Sequence, residues 1–227
     1  RRGGRIIAPS FAVGRTQQLV LVLHQLMKAK RIPGIPIFVD SPLAVNVTDV
    51  FRKHTGEYDA ETAEFVKNGE DPFCFGQLKY VKDVEQSKAL NDLRGPMVII
   101  PASGMCEVGR ILHHLRNNIE NPHNMVLITG FQAENTLGRK IVDKWPEVNI
   151  FGEPVRLRAE VLKLNELSGH ADQGELLAWM KPITLGLKRV FLVHGEPAQS
   201  AALAKAIEKI YGIPVTVARK GESHELD

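Results

Sequence analysis

Apolar residues in this chain gather in short runs separated by amphipathic stretches. The runs predict strands at Arg5 to Pro9, Ile35 to Val39, Met97 to Pro101, Met125 to Thr129, Val155 to Leu164, Arg189 to Val193 and Val215 to Ala218. Most are continuously apolar rather than alternating, which is the pattern of strands covered on both faces in a parallel sheet. The stretches between them predict helices at Arg15 to Lys30, Leu43 to His54, Ala60 to Lys67, Val108 to Asn118, Leu137 to Lys144, Gly174 to Met180 and Gln199 to Tyr211. Strands alternating with helices imply an α/β architecture with right-handed crossovers. Glu57 to Lys88 interrupts the pattern; it is polar, contains Gly69, Pro72 and Gly76, and reads as a helical excursion plus a surface loop.

The character changes at Gly152-Glu153-Pro154. Beyond it Val155, Leu157, Ala159 and Val161 alternate with Arg156, Arg158 and Glu160, as in one half-buried strand of period two. A domain boundary is expected there, with residues 1–152 forming a doubly wound sheet and residues 153–227 a second, smaller part.

The 227 residues are 44% hydrophobic and 24% charged, enough for a well-packed core. Aromatics are only 6%, which argues against a surface built on base stacking. A net charge of +3 is compatible with a polyanionic substrate without requiring one. The two cysteines, Cys74 and Cys106, have no CxxC or zinc-ribbon spacing, so a reducing, cytoplasmic setting is expected. No apolar run approaches membrane-spanning length, so no membrane partner is expected. The chain opens on Arg1-Arg2-Gly3-Gly4-Arg5 with no initiator methionine and no signal-peptide stretch; it reads as a fragment or a processed chain.

Three strand exits share one design. Ala8-Pro9-Ser10-Phe11-Ala12-Val13-Gly14-Arg15-Thr16 is a strand–turn–helix junction where free backbone N–H groups, Ser10 and Arg15 could meet an anion. On this segment alone a capped helix with a solvated arginine is the plainer reading. Pro101 to Arg110 repeats the design, with Ser103, Gly104, Gly109 and Arg110. The glycine spacing is that of a P-loop, but Arg110 and Ile111 stand where Lys and Ser/Thr belong, so the nucleotide motif fails. Gly130 to Arg139 is the third, with Thr136 and Arg139. Three such turns after buried strands would gather at the carboxyl edge of one sheet and form a phosphate-binding rim. At a fourth exit, Asp40-Ser41-Pro42, the default reading is a helix cap.

Of eight histidines, His24, His54, His113, His114 and His123 lack partners at ligand spacing and read as solvated or structural. His170, in Ser168-Gly169-His170-Ala171-Asp172, and His194, in Val193-His194-Gly195-Glu196, sit where an extended segment gives way to a turn. Asp172 is placed either to orient His170 or to cap the helix that follows. A full zinc site needs three or four ligands, and neither HxHxDH nor HExxH occurs in this chain.

Pro9 to Arg15, Asp40 to Ala44, Ala102 to Met105, Ala133 to Arg139, Ser168 to Asp172 and Val193 to Glu196 occur in series. Together they resemble the β-CASP branch of the metallo-β-lactamase superfamily, the RNA-processing nucleases that include the endonuclease of pre-mRNA 3′-end cleavage. The resemblance implies a Rossmann-like β-CASP insert up to about Gly152, followed by the C-terminal part of a metallo-β-lactamase αββα domain. It implies a zinc-dependent ribonuclease with two zinc ions that cuts single-stranded RNA in the cleft between the two domains. His194 matches a zinc ligand, and its presence favours RNA over DNA. His170 matches the histidine that protonates the leaving oxygen, and Ser10, Arg15, Ser103, Gly104, Gly109, Arg110, Thr136 and Arg139 would hold backbone phosphates. Asn135 replaces the family's usual glycine, in a turn that asparagine can still adopt. The N-terminal zinc motifs and the acidic partner of His170 are not in this chain. It is therefore expected to need a metallo-β-lactamase half that precedes it, and to be inactive alone. A homodimer is left open. The alternative reading is a non-catalytic Rossmann-like module that holds RNA or a nucleotide.

Overall fold

The computed structural model describes residues 3–164 and 169–225. They form two compact units, one ending at residue 164 and one beginning at residue 169 among the described residues. In chain order the first contains β1 (Arg5–Ile7), α1 (Arg15–Lys28), β2 (Ile37–Asp40), α2 (Pro42–Lys53), α3 (Ala60–Lys67), β3 (Leu78–Val81), α4 (Val84–Ala89), β4 (Met97–Pro101), α5 (Arg110–Asn118), β5 (Met125–Ile128), α6 (Leu137–Val142), β6 (Glu147–Ile150), β7 (Glu153–Arg156) and β8 (Glu160–Lys163).

Six of these strands form one sheet in the order β3-β2-β4-β1-β5-β8, and every neighbouring pair is parallel. Alternate residues of each strand face opposite cores, which is why the sequence reads as unbroken apolar runs. One core joins Ile7, Phe38, Ile99, Val126 and Ile128 to Ile111 and Leu115 of α5 and Ile141 of α6. The other joins Ala8, Ile37, Val39, Val98 and Ile100 to Leu19 and Val20 of α1 and Ala44 of α2. The sheet is therefore doubly wound, as expected.

Strand order fixes where a ligand has access. The connection through α1 leads from β1 to β2 on one side, and the connection through α5 leads from β4 to β5 on the other. The chain thus departs in opposite directions from two adjacent strands. That leaves a crevice at their carboxyl ends, the switch point where open α/β sheets bind ligands.

Two stretches differ from expectation. The polar segment before Lys88 contains β3 and the start of α4 as well as α3; β3 pairs with β2, so tertiary pairing supplies what local periodicity lacks. The single long strand expected over Val155 to Leu164 is two strands. β7 forms an antiparallel hairpin with β6 across Phe151 and Gly152, both with positive φ (56° and 82°), as a two-residue primed turn requires. The chain then detaches, because the Arg158 and Ala159 N–H groups donate to the Ile119 carbonyl at the end of α5 (3.0 and 2.8 Å). It re-enters as β8 beside β5. Alternation persists through the break and conceals it.

The second unit comprises α7 (Gln173–Met180), β9 (Val190–Leu192), α8 (Pro197–Tyr211) and β10 (Val215–Val217). β9 and β10 pair in parallel across α8. Pro197 opens α8 and left-handed Gly212 closes it. Its buried residues are few: Met180, Ser200, Ile207 and Ile213.

Candidate nucleic-acid interface

The three turns singled out in the sequence follow β1, β4 and β5, which are neighbours in the sheet. They are knitted together. Cδ2 and Cε2 of Phe11 lie 2.9 Å from where a Gly104 Cβ would be, so only glycine accepts the ring at that distance. The Gln132 amide donates to the carbonyls of Gly104 (2.9 Å) and Phe131 (3.0 Å). A Cβ on Gly138 would stand 1.7 Å from Gln132 Oε1, and the Gly138 N–H donates to the Met105 carbonyl at 3.1 Å. Gly109 (φ 86°) and Asn135 (φ 67°) supply the left-handed turns. Asparagine therefore does take the left-handed conformation expected of it.

The anion-holding residues are not equally available. Arg15 lies partly exposed at the first turn of α1, with Nη1 2.5 Å from Gln18 Oε1. Partial burial lowers its pKa, yet guanidinium remains a cation at neutral pH. Ser103 is partly exposed and Gly109 exposed in the β4 turn. Thr136 caps α6, accepting from the Arg139 N–H at 3.1 Å and donating to the Ala133 carbonyl at 2.8 Å. Nε of Arg139 pairs with Asp143 (3.1 and 3.0 Å to its two oxygens). Ser10 is buried, its hydroxyl turned back to the Ala8 carbonyl at 3.3 Å.

Arg110 faces inward rather than into the crevice. Its Nη1 lies 2.6 Å from Asp40 Oδ1, and Nη2 donates to the Lys82 carbonyl at 2.7 Å. Asp40 is fully buried and also accepts from Ser87 (2.5 Å) and from His114 Nε2 (2.6 Å). Burial alone would raise the Asp40 pKa, but the hydrogen bonds from His114, Ser87 and Arg110 prevail and hold the carboxyl below its ordinary range. Ser41, not Asp40, caps α2, accepting from the Ala44 N–H. Sequence spacing gave no sign of this cluster, since its side chains come from three separate segments, β2, α4 and α5.

Backbone donors at the start of α6 are also engaged. The Leu137 N–H donates to a Glu107 carboxylate oxygen at 2.5 Å. Glu107 thus occupies the position where an anion would bind at that helix.

The two histidines lie in the second unit. His170 is exposed; Ser168 of its motif lies outside the described residues. Asp172 takes the capping role in full. It accepts from the Glu175 N–H and Glu175 returns the bond to the Asp172 N–H, both at 2.8 Å. His194 is exposed just beyond β9, with a left-handed backbone (φ 69°) uncommon for a residue with a side chain. The Ser200 hydroxyl donates to its carbonyl at 3.3 Å, and a Cβ on Gly195 would meet that hydroxyl oxygen at 2.9 Å.

An exposed imidazole at a rigid strand end is a donor of the type zinc accepts. Among the described residues, however, no group of three or more His, Cys, Asp or Glu side chains could hold a metal ion. These residues fit one contribution to a metal centre, not a centre. Both cysteines are free, Cys106 buried with its pKa pushed up to about 12 by desolvation. Among the described residues no helix is long and apolar enough to cross a membrane.

A doubly wound sheet with three joined turns at its switch point is common to many folds, and comparison with known families narrows it. The profile of the Beta-Casp domain matches residues 16–141. The chain belongs to the β-CASP family. A second profile, the Zn-dependent metallo-hydrolase RNA specificity domain, matches residues 154–218 of this β-CASP chain. It begins where the sequence changes character, although residues up to 164 pack in the first compact unit. Ribonuclease TTHA0252 of Thermus thermophilus is 40% identical over 97% of the chain and 50% of its own length. An RNase J-like protein of Methanocaldococcus jannaschii is 31% identical over 96% of the chain and 49% of its own length. The transcription termination factor FttA of Methanosarcina mazei is 28% identical over 92% of the chain and 33% of its own length. The chain thus spans half or less of the length of these curated relatives.

Proposed function

We propose that this β-CASP chain is the RNA-holding part of a zinc-dependent ribonuclease that hydrolyses phosphodiester bonds of single-stranded RNA. The observation that carries the reading is the junction of the β1, β4 and β5 turns at the sheet's switch point. The name of the second matching profile and the ribonuclease relatives point the same way. Arg15, Ser103 and Gly109 line the edge with a cation, a hydroxyl and exposed backbone, with Thr136 and Arg139 on the neighbouring turn. Such groups position a phosphate backbone without reading its sequence. The inward guanidinium of Arg110 and the buried hydroxyl of Ser10 serve this edge as scaffolding.

In this reading His170 gives a proton to the departing ribose oxygen, which leaves as a neutral hydroxyl. His194 contributes one ligand to one of two zinc ions. The metal, when bound, supplies Lewis-acid polarisation of the scissile phosphate.

The remaining ligands belong to a metallo-β-lactamase half elsewhere in the protein. The second unit supports that expectation physically. Two parallel strands are too few to stand alone, since parallel sheets are normally covered and larger. Trp179 is 70% exposed, and Ile183, Leu185 and Val193 are exposed with it.

The test is RNA cleavage with zinc by a protein that joins this chain to its metallo-β-lactamase half, compared with His194→Ala and His170→Ala. Loss of cutting by about a hundredfold or more in each variant, with RNA binding kept, is the expected outcome. Undiminished cutting by His194→Ala rejects its metal role. The chain alone is expected to bind RNA without cutting it.

A further inference from the structure

Apolar side chains stand in the open where strands leave the sheet. Phe11 and Val13 follow β1, Val108 follows β4 and Phe131 follows β5, all exposed. Phe11 and Phe131 are 48% and 50% exposed, although the chain has few aromatic residues to place anywhere. Core positions were available to them, as Phe38, Phe65 and Phe73 show.

The backbone beneath both rings is fixed. Phe11 rests against Gly104, and Gln132 bridges the carbonyls of Gly104 and Phe131. Each ring therefore projects from a held backbone, on a residue about half exposed to solvent. Arg15 lies four residues from Phe11 in the same turn.

We propose that Phe11 and Phe131 are stacking platforms for two bases of a single-stranded RNA whose phosphates follow the turns. The inference rests on the RNA-binding reading above and adds to it a second kind of contact. Bases have apolar faces of the same size as a phenyl ring, so stacking covers both surfaces at once. It tolerates any base, because every base has a π-face. A cation for phosphate beside aromatic rings for bases is the combination that suits a single strand, whose bases are unpaired; a duplex keeps its bases stacked inside. The low aromatic content argued against a surface of this kind, but placement rather than number decides it.

The test compares two RNAs of equal length, one intact and one with the bases removed and the sugar–phosphate backbone kept. Binding to the whole chain is followed by fluorescence anisotropy for the wild type, Phe11→Leu, Phe131→Ala and Phe131→Tyr. The leucine variant keeps apolar bulk against Gly104, and thermal melting checks that each variant folds. The wild type is expected to bind intact RNA about tenfold or more tightly than the abasic strand. Phe11→Leu and Phe131→Ala should each lose about five- to tenfold on intact RNA and nothing on the abasic strand, and Phe131→Tyr should bind as the wild type does. Equal binding of the two RNAs by the wild type overturns the proposal. So do equal losses on both RNAs, which would mean disturbed packing or a patch that serves a protein partner. If neither RNA binds, the RNA reading itself falls; if both bind equally with steep salt dependence, that reading stands and only the stacking fails.

Discussion

His114 Nε2 lies 2.6 Å from Asp40 Oδ2 at a point where neither side chain reaches solvent. An ionised carboxylate only accepts, so the shared proton sits on Nε2. The other carboxylate oxygen takes the Arg110 guanidinium, which ties the end of β2 to α5 and to the turn after β3. Replacing Asp40 with asparagine removes the counter-charge of the Arg110 guanidinium and one of the two acceptor oxygens, beside an imidazole whose Nδ1 is already buried without a partner among the described residues. Asp40→Asn should therefore cost about 3 to 5 kcal/mol, read from urea unfolding with an unchanged slope. A loss under about 1 kcal/mol would mean that solvent satisfies the cluster.

The same carboxyl sets a pH dependence. Its folded-state pKa lies below the ordinary 3.8, so the folded protein holds the proton less tightly than the unfolded chain does. The stabilisation is complete above the unfolded value and is lost as pH falls through the folded one. The urea midpoint of the wild type should drop as pH falls below about 4 more steeply than that of Asp40→Asn. Parallel curves would show that Asp40 is not perturbed.

Glycines at the joined turns should rank by what surrounds them. Gly138→Ala drives a Cβ into a buried amide and a backbone carbonyl, and should cost about 1 to 3 kcal/mol. Gly104→Ala meets only the half-exposed Phe11 ring, which can swing aside, and should cost less. Thermal melting of the two variants checks the order; the reverse order would mean that the Phe11 ring is held more rigidly than Gln132.

Asn135 has a left-handed backbone, with φ at 67°. Asn135→Ala should lower stability by about 1 kcal/mol, while Asn135→Gly should stay within about 0.5 kcal/mol of the wild type. If alanine proves neutral in chemical denaturation, the turn does not depend on this conformation.

Legibility in the sequence followed the range of the interactions. The buried strands β1, β2, β4 and β5 and the helices α1, α3 and α5 were readable because their signals are local: apolar runs and helical periodicity. The three turns could be recognised one by one, and sheet order then brought them together. β3 was not readable, since long-range pairing with β2 makes it a strand, and β6, a four-residue strand of the hairpin with β7, lacks an apolar run of its own. The break between β7 and β8 was hidden because a carbonyl from α5 causes it while alternation runs on. Among candidate phosphate contacts, Arg110 showed the same limit. Its sequence context matches that of Arg15 and Arg139, and only the fold reveals Asp40, seventy positions away, as its partner.

The central claim is that phosphates bind along the carboxyl edge at Arg15 and its neighbouring turns. The direct measurement is the affinity of the chain for single-stranded RNA across a salt series, wild type against Arg15→Gln. Affinity should fall linearly with salt on logarithmic axes, and the variant should bind more weakly with a slope shallower by about 0.7, the share of one phosphate contact on a single strand. Identical slopes and affinities for the two proteins would contradict the account.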